Sequence, residues 1–315
     1  MSSPLLSVRV QAMRFEALGV VSVELCLPDG GELPAFEAGA HIDLHLANGL
    51  VRSYSLSNSP AERHHYVVGV LHDRASRGGS RYVHEQLRVG STLSISAPRN
   101  NFPLEEAAPL SVLIAGGIGI TPISCMYHHL RAQGKEAVLH YCARSRKEAA
   151  FTAQLLGQPG VSSHFDDEAG TAPDLRAVLG AYPKESHFYC CGPTPMLNAF
   201  ESLCEELGLP NVHIERFAAE KVAPVQHGSY VAELVRSKSS LTVPAGKSLL
   251  DTLLDAGIAV DHSCREGVCG ACETRVLEGE PEHRDGVLSK AERAAGKTMM
   301  VCVSGCKGQR LVLDL

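Results

Sequence analysis

Several features are missing from this sequence of 315 residues, and each absence excludes a class of protein. No apolar run reaches the roughly 18 residues that a membrane-spanning helix needs. The first residues, MSSPLLSVRVQAMRF, carry neither a basic segment followed by a long apolar core nor a small-residue cleavage site. Basic residues are not in excess, since 29 Lys and Arg stand against 35 Asp and Glu. We therefore expect a cytoplasmic protein that binds neither membranes nor nucleic acid.

The cysteines lack the pattern of a disulfide framework, and the histidines lack that of a metal site. Eleven cysteines is an odd number, and a chain of this size without a secretion signal rarely depends on disulfides. The 15 histidines show no ligand spacing. Six cysteines lie in apolar stretches, where thiols usually pack as small hydrophobic side chains: Cys26, Cys125, Cys142, Cys190, Cys191 and Cys204.

The remaining cysteines are concentrated near the end of the chain. The stretch DHSCREGVCGACETRV has the spacing Cys-x4-Cys-x2-Cys, and a fourth cysteine follows after 29 further residues. This is the plant-type [2Fe-2S] spacing, in which a tight loop supplies three thiolates and a distant strand supplies the fourth. Gly267 and Gly270 lie between the ligands, where the backbone must turn sharply and bring its N–H groups close to sulfur. The predicted iron ligands are Cys264, Cys269, Cys272 and Cys302.

Two alternatives to this assignment stay open. Zinc prefers two separated pairs of ligands, and a Cys-x2-Cys pair occurs only once here. A zinc-stapled interaction module attached to a flavin reductase is nevertheless the competing hypothesis. In addition, Cys306 lies four residues after Cys302 and could compete with it as a ligand, although the 29-residue gap favours Cys302.

The residues around these cysteines predict a small α+β domain. SYVAELVRS and SSLTVP alternate apolar and polar residues as the strands of a hairpin do. In SLLDTLLDAG, Ser248 is the predicted N-cap and Gly257 the stop of a short helix. LSKAERAAGK predicts a second short helix that begins at Ser289. The order of strand, helix and cysteine loop resembles plant-type ferredoxins and implies a β-grasp-like fold.

The middle of the chain predicts an open sheet of parallel strands. PLSVLIAGGIGITPISCMYHHLRAQGK begins with a uniformly apolar strand from Leu110 to Ala115, which is typical of buried parallel sheets. A glycine turn follows, and then a helix with Thr121 as the predicted N-cap and Pro122 as its first residue. SHFYCCGPTPMLNAFESLCEELG repeats the order of strand, tight turn and helix, with Thr194 as the cap. Both turns should lie at the sheet edge where such folds bind nucleotides.

The residues predicted to bind a dinucleotide lie at that edge. Glycines there let a phosphate approach the backbone at a helix N-terminus. Arg144, Arg146 and Lys147 could receive a 2′-phosphate, whereas Asp166 and Asp167 could accept hydrogen bonds from ribose hydroxyls. Both NADPH and NADH are therefore compatible with these residues. The arginines are also compatible with plain solvated surface charge. The predicted NAD contacts are Gly116, Gly117, Gly119, Arg144, Cys191, Gly192 and Pro193.

The first third of the chain predicts an antiparallel β-barrel. AHIDLHLANGLVRSYSLSNSP alternates apolar and polar residues, turns at Asn48-Gly49 and returns as a second strand. Further short strands flank this hairpin, notably VVSVELCLP and HHYVVGVLH. The returning strand contains RSYS, and RGGSRYVH and GGIGITP follow it in that order. In these three motifs the chain resembles the ferredoxin reductase superfamily, whose Arg-x-Tyr-Ser strand holds a flavin.

That resemblance implies a flavin site on the barrel. A guanidinium can bind phosphate bidentately and an aromatic face can cover an aromatic cofactor, so Arg52 would hold the phosphate and Tyr54 would lie along the ring. Ser55, Thr121 and Glu215 are the catalytic candidates, through hydrogen bonds near the reactive edge. Ser55 and Glu215 could equally be an ordinary strand hydroxyl and a surface carboxylate. The implied FMN contacts are Arg52, Ser53, Tyr54, Ser55, Gly69, Val70, Leu71, Gly78, Gly79, Ser80, Thr121 and Phe217.

Three domains are expected: an FMN-binding β-barrel at 1–105, an NAD-binding α/β domain at 106–225 and a ferredoxin domain at 226–315. This order resembles phthalate dioxygenase reductase and the related reductases of vanillate demethylase type, and it implies FMN where relatives with an N-terminal ferredoxin domain use FAD. The resemblance further implies a monomer that takes hydride from NADH onto FMN and passes single electrons through the cluster to a Rieske-type oxygenase. The alternative is an NADH diaphorase that reduces a separate soluble redox carrier.

Overall fold

Three sheets of five or six strands organise the chain, whose computed structural model describes residues 5–74, 76–217 and 228–315. The chain divides into two units, one ending at Glu215 and the other running from Arg216 to Leu315. The first unit holds two of these sheets and the second unit holds the third. The domain boundary expected between residues 105 and 106 stays a prediction, and that expected between 225 and 226 lies outside the described residues.

The first sheet contains six strands: β1(Leu6–Ala17), β2(Val20–Cys26), β3(His41–His45), β4(Val51–Ser55), β5(Tyr66–Leu71) and β6(Thr92–Ile95). Their order is β4-β3-β6-β1-β2-β5, and every neighbouring pair is antiparallel. Alternate apolar residues such as Val23 and Leu25 are fully buried. A bridge between Leu56 and Val68 joins the two outermost strands and closes the sheet into the predicted barrel. The short helix α1(Gly79–Glu85) follows β5.

The second sheet is parallel throughout: β7(Ser111–Gly116), β8(Ala137–Ala143), β9(Val161–Phe165), β10(His187–Cys191) and β11(Val212–Glu215). Its strand order is β11-β10-β7-β8-β9. Every residue of β7 is buried, as its uniform hydrophobicity predicts. The helices between these strands are α2(Ile120–Ala132), α3(Thr152–Leu155), α4(Asp166–Ala169), α5(Leu175–Gly180) and α6(Thr194–Leu207).

The two helices that follow the tight turns begin earlier than the sequence predicts. Helix α2 starts at Ile120 with Gly119 at its N-cap, and α6 starts at Thr194 with Pro193 at its N-cap. The predictions of Thr121 and Thr194 as caps were therefore wrong. A 3₁₀ turn over Gly117–Gly119 leads directly into α2, so helical hydrogen bonding is already established before Thr121 is reached. The Thr121 hydroxyl instead donates to the carbonyl of Ile118 at 3.1 Å.

The third sheet is mixed and lies in the second unit. Its strands are β12(Tyr230–Leu234), β13(Ser239–Val243), β14(Glu273–Glu278), β16(Thr298–Met300) and β18(Arg310–Leu313), while β15(Pro281–Glu282) and β17(Gly305–Cys306) form a separate pair. Its strand order is β13-β12-β18-β14-β16, with β12 parallel to β18 and the other pairs antiparallel.

Two short helices accompany this sheet, α7(Leu249–Asp255) and α8(Lys290–Ala295). They are capped as predicted, because the hydroxyl of Ser248 accepts from the amide of Asp251 and Ser289 forms a capping box with Glu292. Barrel, parallel sheet and mixed α+β domain together confirm the predicted fold class. No helix in the described ranges is long and apolar enough to cross a bilayer.

Candidate functional site

The strand that carries the RSYS motif is β4, paired antiparallel with β3. Alternation along the strand places Arg52 and Tyr54 on one face and Ser53 and Ser55 on the other. A Cβ on Gly79 would lie only 2.6 Å from Cγ of Arg52, so the first turn of α1 rests directly against the arginine stem. Gly78, before this helix, adopts a positive φ of 99°. The structure thus brings together the two segments in which the resemblance places a flavin phosphate.

On the other face of β4 lies a buried carboxylate, Asp43, which could not be identified from the sequence. Asp43 lies opposite Ser53 in the register, and its side chain is only 2% exposed. Its Oδ1 accepts from the hydroxyl of Ser53 at 2.6 Å, and its Oδ2 accepts from Nη2 of Arg99 at 2.6 Å. The hydroxyl of Ser96 also accepts from the Asp43 amide at 2.9 Å. Ser53 is therefore a structural partner of Asp43.

The last residue of β4 lies next to the last residue of β11. The hydroxyl of Ser55 donates to Oε2 of Glu215 at 3.4 Å, although the two residues are 160 positions apart in the chain. Burial raises the pKa of the Glu215 carboxyl to about 8, and the hydrogen bond from Ser55 opposes that rise. Two of the three catalytic candidates thus form one pair, and the carboxyl is protonated at neutral pH.

The third catalytic candidate, Thr121, lies against the barrel strand β5. A Cβ on Gly69 would be 2.6 Å from Cγ2 of Thr121 and 3.2 Å from the ring of Phe151, so only glycine fits there. Two further predicted flavin contacts follow on the same strand. The carbonyl of Val70 accepts from Nε2 of His84 at 2.9 Å, and the side chain of Leu71 is 41% exposed.

Two other predicted flavin contacts, Ser80 and Phe217, lie outside strands β4 and β5. The hydroxyl of Ser80 accepts from the amide of Asp73 at 3.3 Å and donates to the hydroxyl of Ser76 at 2.9 Å. Phe217 is 40% exposed and belongs to the second unit, so its contact with a flavin stays a prediction.

The two glycine-containing turns of the parallel sheet touch through their backbones. Strands β7 and β10 are neighbours, with Cys191 opposite Ala115. A Cβ on Gly119 would lie 2.1 Å from the carbonyl oxygen of Cys191, and one on Gly116 would lie 2.7 Å from Cδ of Pro193. The two turns therefore form one surface at the carboxyl ends of the strands, as the sequence predicts for a dinucleotide site.

The remaining predicted NAD contacts lie on either side of this surface. Gly117 adopts a positive φ of 53°, and a Cβ there would meet no heavy atom within 4 Å beyond its chain neighbours, so this part of the turn is open. Gly192 faces Gly116, whose Cα would be 3.1 Å from a Cβ at Gly192. Arg144 is exposed beyond the end of β8, and its carbonyl accepts from the amide of Asp167 at 3.0 Å.

The four predicted iron ligands are all buried in the second unit, with exposed fractions between 2% and 8%. Gly267 and Gly270 have positive φ angles of 70° and 73°, as expected for a loop that turns sharply between ligands. A Cβ on Gly267 would meet Cγ2 of Val303 at 2.6 Å. The amide of Glu266 donates to the sulfur of Cys264 at 3.3 Å. The loop thus directs both thiols and backbone donors toward one place.

These four cysteines interact as two pairs. A hydrogen bond from the thiol of Cys269 lowers the pKa of Cys264, and the amides of Val268 and Glu266 act in the same direction. A hydrogen bond from Cys302 likewise lowers the pKa of Cys272. Within the described ranges, no three His, Cys, Asp or Glu side chains surround one ion position. Four buried thiols at this spacing fit the donor set of a cluster of two irons.

Cys306 has a different environment. Its thiol donates to the carbonyl of Arg310 at 3.5 Å, and burial raises its pKa. It packs in the apolar core of the second unit, as Cys272 and Cys302 also do, so its hydrogen bond to a backbone carbonyl is what distinguishes it. These contacts are those of a structural thiol.

Comparison with known proteins agrees with this geometry. Residues 233–307 match the family described as "2Fe-2S iron-sulfur cluster binding domain". The chain is 50% identical to phenoxybenzoate dioxygenase subunit beta from Ectopseudomonas oleovorans, covering 98% of this chain and 97% of that protein. It is 44% identical to a vanillate O-demethylase oxidoreductase from a Pseudomonas species, covering 99% of this chain and all of that protein.

Solved structures show the same similarity in three dimensions. Phthalate dioxygenase reductase, described as a modular structure for electron transfer from pyridine nucleotides to [2Fe-2S], matches with a TM-score of 0.74 and 37% identity, covering 99% of this chain and 98% of that chain. An intact type IV self-sufficient cytochrome P450 monooxygenase matches with a TM-score of 0.89 and 37% identity. This chain spans only 42% of the length of that P450 chain.

The barrel, the parallel sheet and the iron–sulfur domain together define an oxidoreductase that serves as the reductase component of an oxygenase system. More narrowly, the chain belongs to the family of phthalate dioxygenase reductase and the vanillate demethylase reductases.

Proposed function

We propose that this protein takes hydride from NADH onto FMN and passes single electrons through a [2Fe-2S] cluster to a Rieske-type oxygenase. The four buried cysteines Cys264, Cys269, Cys272 and Cys302, which all lie within the residues that match the iron–sulfur family, carry the proposal, because four thiolates are the donor set of a two-iron cluster. When bound, the flavin accepts two electrons as a hydride and the cluster transfers electrons one at a time.

At the flavin site the chain supplies charge, an aromatic face and hydroxyl groups. Arg52, held by the first turn of α1, would bind the phosphate with its guanidinium. Tyr54 lies on the same face of β4 and would cover the ring. Ser55, which hydrogen-bonds Glu215, would lie at the reactive edge. The close packing of Gly69 on Thr121 would hold the start of α2 against the barrel strand β5.

The parallel sheet would bind the pyridine nucleotide. In the surface formed by the turn at Gly116–Gly119 and the turn at Cys191–Pro193, the position beside Gly117 is free of neighbouring heavy atoms. A pyrophosphate can approach such a surface and meet amide groups at the start of α2. The nicotinamide end would then lie beside Thr121, which is 2% exposed and bordered by Gly69.

Anaerobic stopped-flow absorbance tests the proposal with the reconstituted holoenzyme. On mixing with NADH, we expect loss of flavin absorbance followed by loss of the longer-wavelength iron–sulfur absorbance, with iron and acid-labile sulfide each present at two per chain. Bleaching of the flavin alone in a preparation with full iron content would contradict the electron route. Absence of iron and sulfide from freshly made protein would contradict the cluster itself.

The identity of the acceptor is tested separately. Reduced holoenzyme is mixed with a purified Rieske-type oxygenase, and oxidation of the reductase is followed at equal protein concentrations. Transfer to the Rieske protein at a rate above that to free quinone or cytochrome c supports the proposal. Equal or faster reduction of the small carriers supports the diaphorase alternative.

A cytochrome P450 acceptor is the second candidate. The TM-score of 0.89 with the reductase region of a self-sufficient P450 monooxygenase favours it. Replacing the Rieske protein with a P450 haem domain in the same mixing experiment distinguishes the two acceptors, because haem reduction under carbon monoxide has its own absorbance signature.

A further inference from the structure

The carboxyl ends of β8 and β9 form a charged surface next to the glycine turn. These strands are parallel neighbours, with Ala143 opposite Phe165 at their last positions. Beyond β8 the chain presents Arg144 and Arg146, and beyond β9 it presents Asp166, Asp167 and Glu168. In open α/β sheets, the adenosine ribose of a dinucleotide binds beyond the strand next to the glycine turn, which here is β8. This surface is therefore where a ribose hydroxyl and a ribose 2′-phosphate would be distinguished.

The guanidinium of Arg146 is fixed by two contacts at this surface. Its Nε lies 3.0 Å from Oε1 of Glu168 and its Nη2 lies 3.2 Å from Oε2, which is a bidentate arrangement. The central carbon of the guanidinium also lies 4.5 Å from the centroid of the Phe165 ring, so the planar group is stacked on an aromatic face. Arg146 is thus oriented toward Glu168, which accepts from two of its five N–H groups and neutralises its charge.

Acidic groups lie on the β9 side of this ion pair, and the basic side chains of Arg144 and Lys147 lie on the β8 side. Asp166 and Asp167 precede Glu168 directly in the chain, and Asp166 interacts with His164 across 3.4 Å. A 2′-phosphate placed here would meet three carboxylates in succession, and the charge of Arg146 is already paired with one of them. A free ribose hydroxyl, in contrast, can donate a hydrogen bond to a carboxylate at no electrostatic cost.

We propose that Glu168 is a specificity-determining residue, which selects NADH over NADPH by holding the Arg146 guanidinium away from a 2′-phosphate. The proposal rests on the proposed function and deepens it, because it assigns the choice of nucleotide to one ion pair. Both side chains are about half exposed, 54% for Arg146 and 52% for Glu168. Exposed pairs of this kind contribute little to folding, so the pair can be broken without unfolding the protein.

Binding of two adenosine nucleotides to the holoenzyme tests the proposal by calorimetry. The probes are adenosine 5′-monophosphate and adenosine 2′,5′-bisphosphate, which differ only in the 2′-phosphate. In Glu168→Gln the guanidinium is released, and we expect the affinity for the bisphosphate to rise about fivefold while that for the monophosphate stays unchanged. The ratio of kcat/KM for NADPH to that for NADH should rise in parallel.

Two further variants separate the ion pair from general charge effects. Glu206→Gln removes one carboxylate from another exposed pair, Arg176 with Glu206, in the same unit, and we expect it to leave both affinities unchanged. The double variant Glu168→Gln with Arg146→Gln should lose the gain in bisphosphate binding, because the released guanidinium is then absent.

Three results would overturn the proposal: unchanged bisphosphate affinity in Glu168→Gln, an equal gain for both nucleotides, or a gain that persists in the double variant. None of these depends on electron transfer. If NADH failed to reduce the wild-type holoenzyme while the nucleotide affinities behaved as described, the proposed function would fail and the assignment of Glu168 would stand.

Discussion

The hydroxyl of Ser55 lies 3.4 Å from Oε2 of Glu215, and burial raises the pKa of that carboxyl to about 8. Below this pH the carboxyl is neutral, whereas above it a negative charge develops beside the proposed flavin edge and opposes the arrival of a hydride. We expect the rate of NADH-dependent flavin reduction to fall as pH rises through about 8, by about tenfold, which corresponds to roughly 1.4 kcal/mol. Stopped-flow measurements from pH 6 to 9.5 follow this change.

The variant Glu215→Gln is the matched control for that profile, because its amide has a similar shape and stays neutral at every pH. Its rate should be independent of pH near 8. A fall of the same size in the glutamine variant would show that another group is responsible.

The raised pKa of the Glu215 carboxyl also predicts that the stability of the protein depends on pH. Its pKa rises from 4.5 to about 8 on folding, so the folded state binds more protons than the unfolded state between these values. The free energy of unfolding should therefore decrease as pH rises from 4.5 to about 8 and then level off. Urea unfolding of the wild type and Glu215→Gln at pH 5, 7 and 9 measures this change in the free energy of unfolding. Parallel profiles for the two proteins would contradict the prediction.

Asp43 is expected to position β4, the strand proposed to hold the flavin. Replacing it with asparagine leaves the Arg99 guanidinium without its buried partner and removes the charge that accepts from Ser53. We expect a loss of about 2–3 kcal/mol in the free energy of unfolding and a weaker dissociation constant for FMN. Ser53→Ala, which keeps the ion pair, should cost about 1 kcal/mol. Urea unfolding and flavin fluorescence titration check both, and equal effects of the two substitutions would be inconsistent with a role for the ion pair.

Substitution of Gly69 tests the close contact between β5 and Thr121. An alanine there would place its Cβ 2.6 Å from Cγ2 of Thr121, and overpacking of this kind costs about 1–3 kcal/mol. Both the melting temperature and the rate of flavin reduction should fall. Gly180→Ala is the control, since a Cβ at the end of α5 has no heavy atom within 4 Å, and it should be neutral or slightly stabilising. An unchanged reduction rate in Gly69→Ala would argue against Thr121 at the flavin edge.

Cys302 and Cys306 should differ in their effect on the cluster. Cys302 pairs with Cys272, whereas Cys306 donates to a backbone carbonyl. We expect Cys302→Ala to lose iron and acid-labile sulfide and Cys306→Ala to retain both, with a stability loss of about 1 kcal/mol for the lost hydrogen bond. Iron and sulfide analysis measures the difference. Retention of the cluster in the first variant, or its loss in the second, would reverse the assignment of the fourth ligand.

The cysteine loop could be predicted from sequence because its ligands are close together and its glycines occupy fixed positions between them. Ser289 and Glu292 could likewise be recognised as a capping box, since both partners lie within one turn. Local spacing of this kind is visible in a single sequence. The starts of α2 and α6 were missed by one or two residues because a threonine followed by proline is a strong local signal, yet the preceding turn already has helical geometry at α2.

The network around Asp43 could not be found in the same way. Asp43 and Arg99 are 56 residues apart, and only the strand register brings them together. Alternation in HIDLH places Asp43 on the face opposite Ile42 and Leu44, where a solvated side chain would be expected, so the sequence carried no signal of its burial. Ser55 and Glu215 were named individually through the family resemblance, but their contact depends on how β4 and β11 approach within the folded unit.

The bridge between Leu56 and Val68 has a consequence for the protein before it acquires its cofactors. A sheet whose outer strands are joined to each other leaves little unpaired backbone for a neighbouring chain to extend. The barrel sheet is therefore a poor site for strand addition by a neighbouring chain, whether or not a flavin is bound.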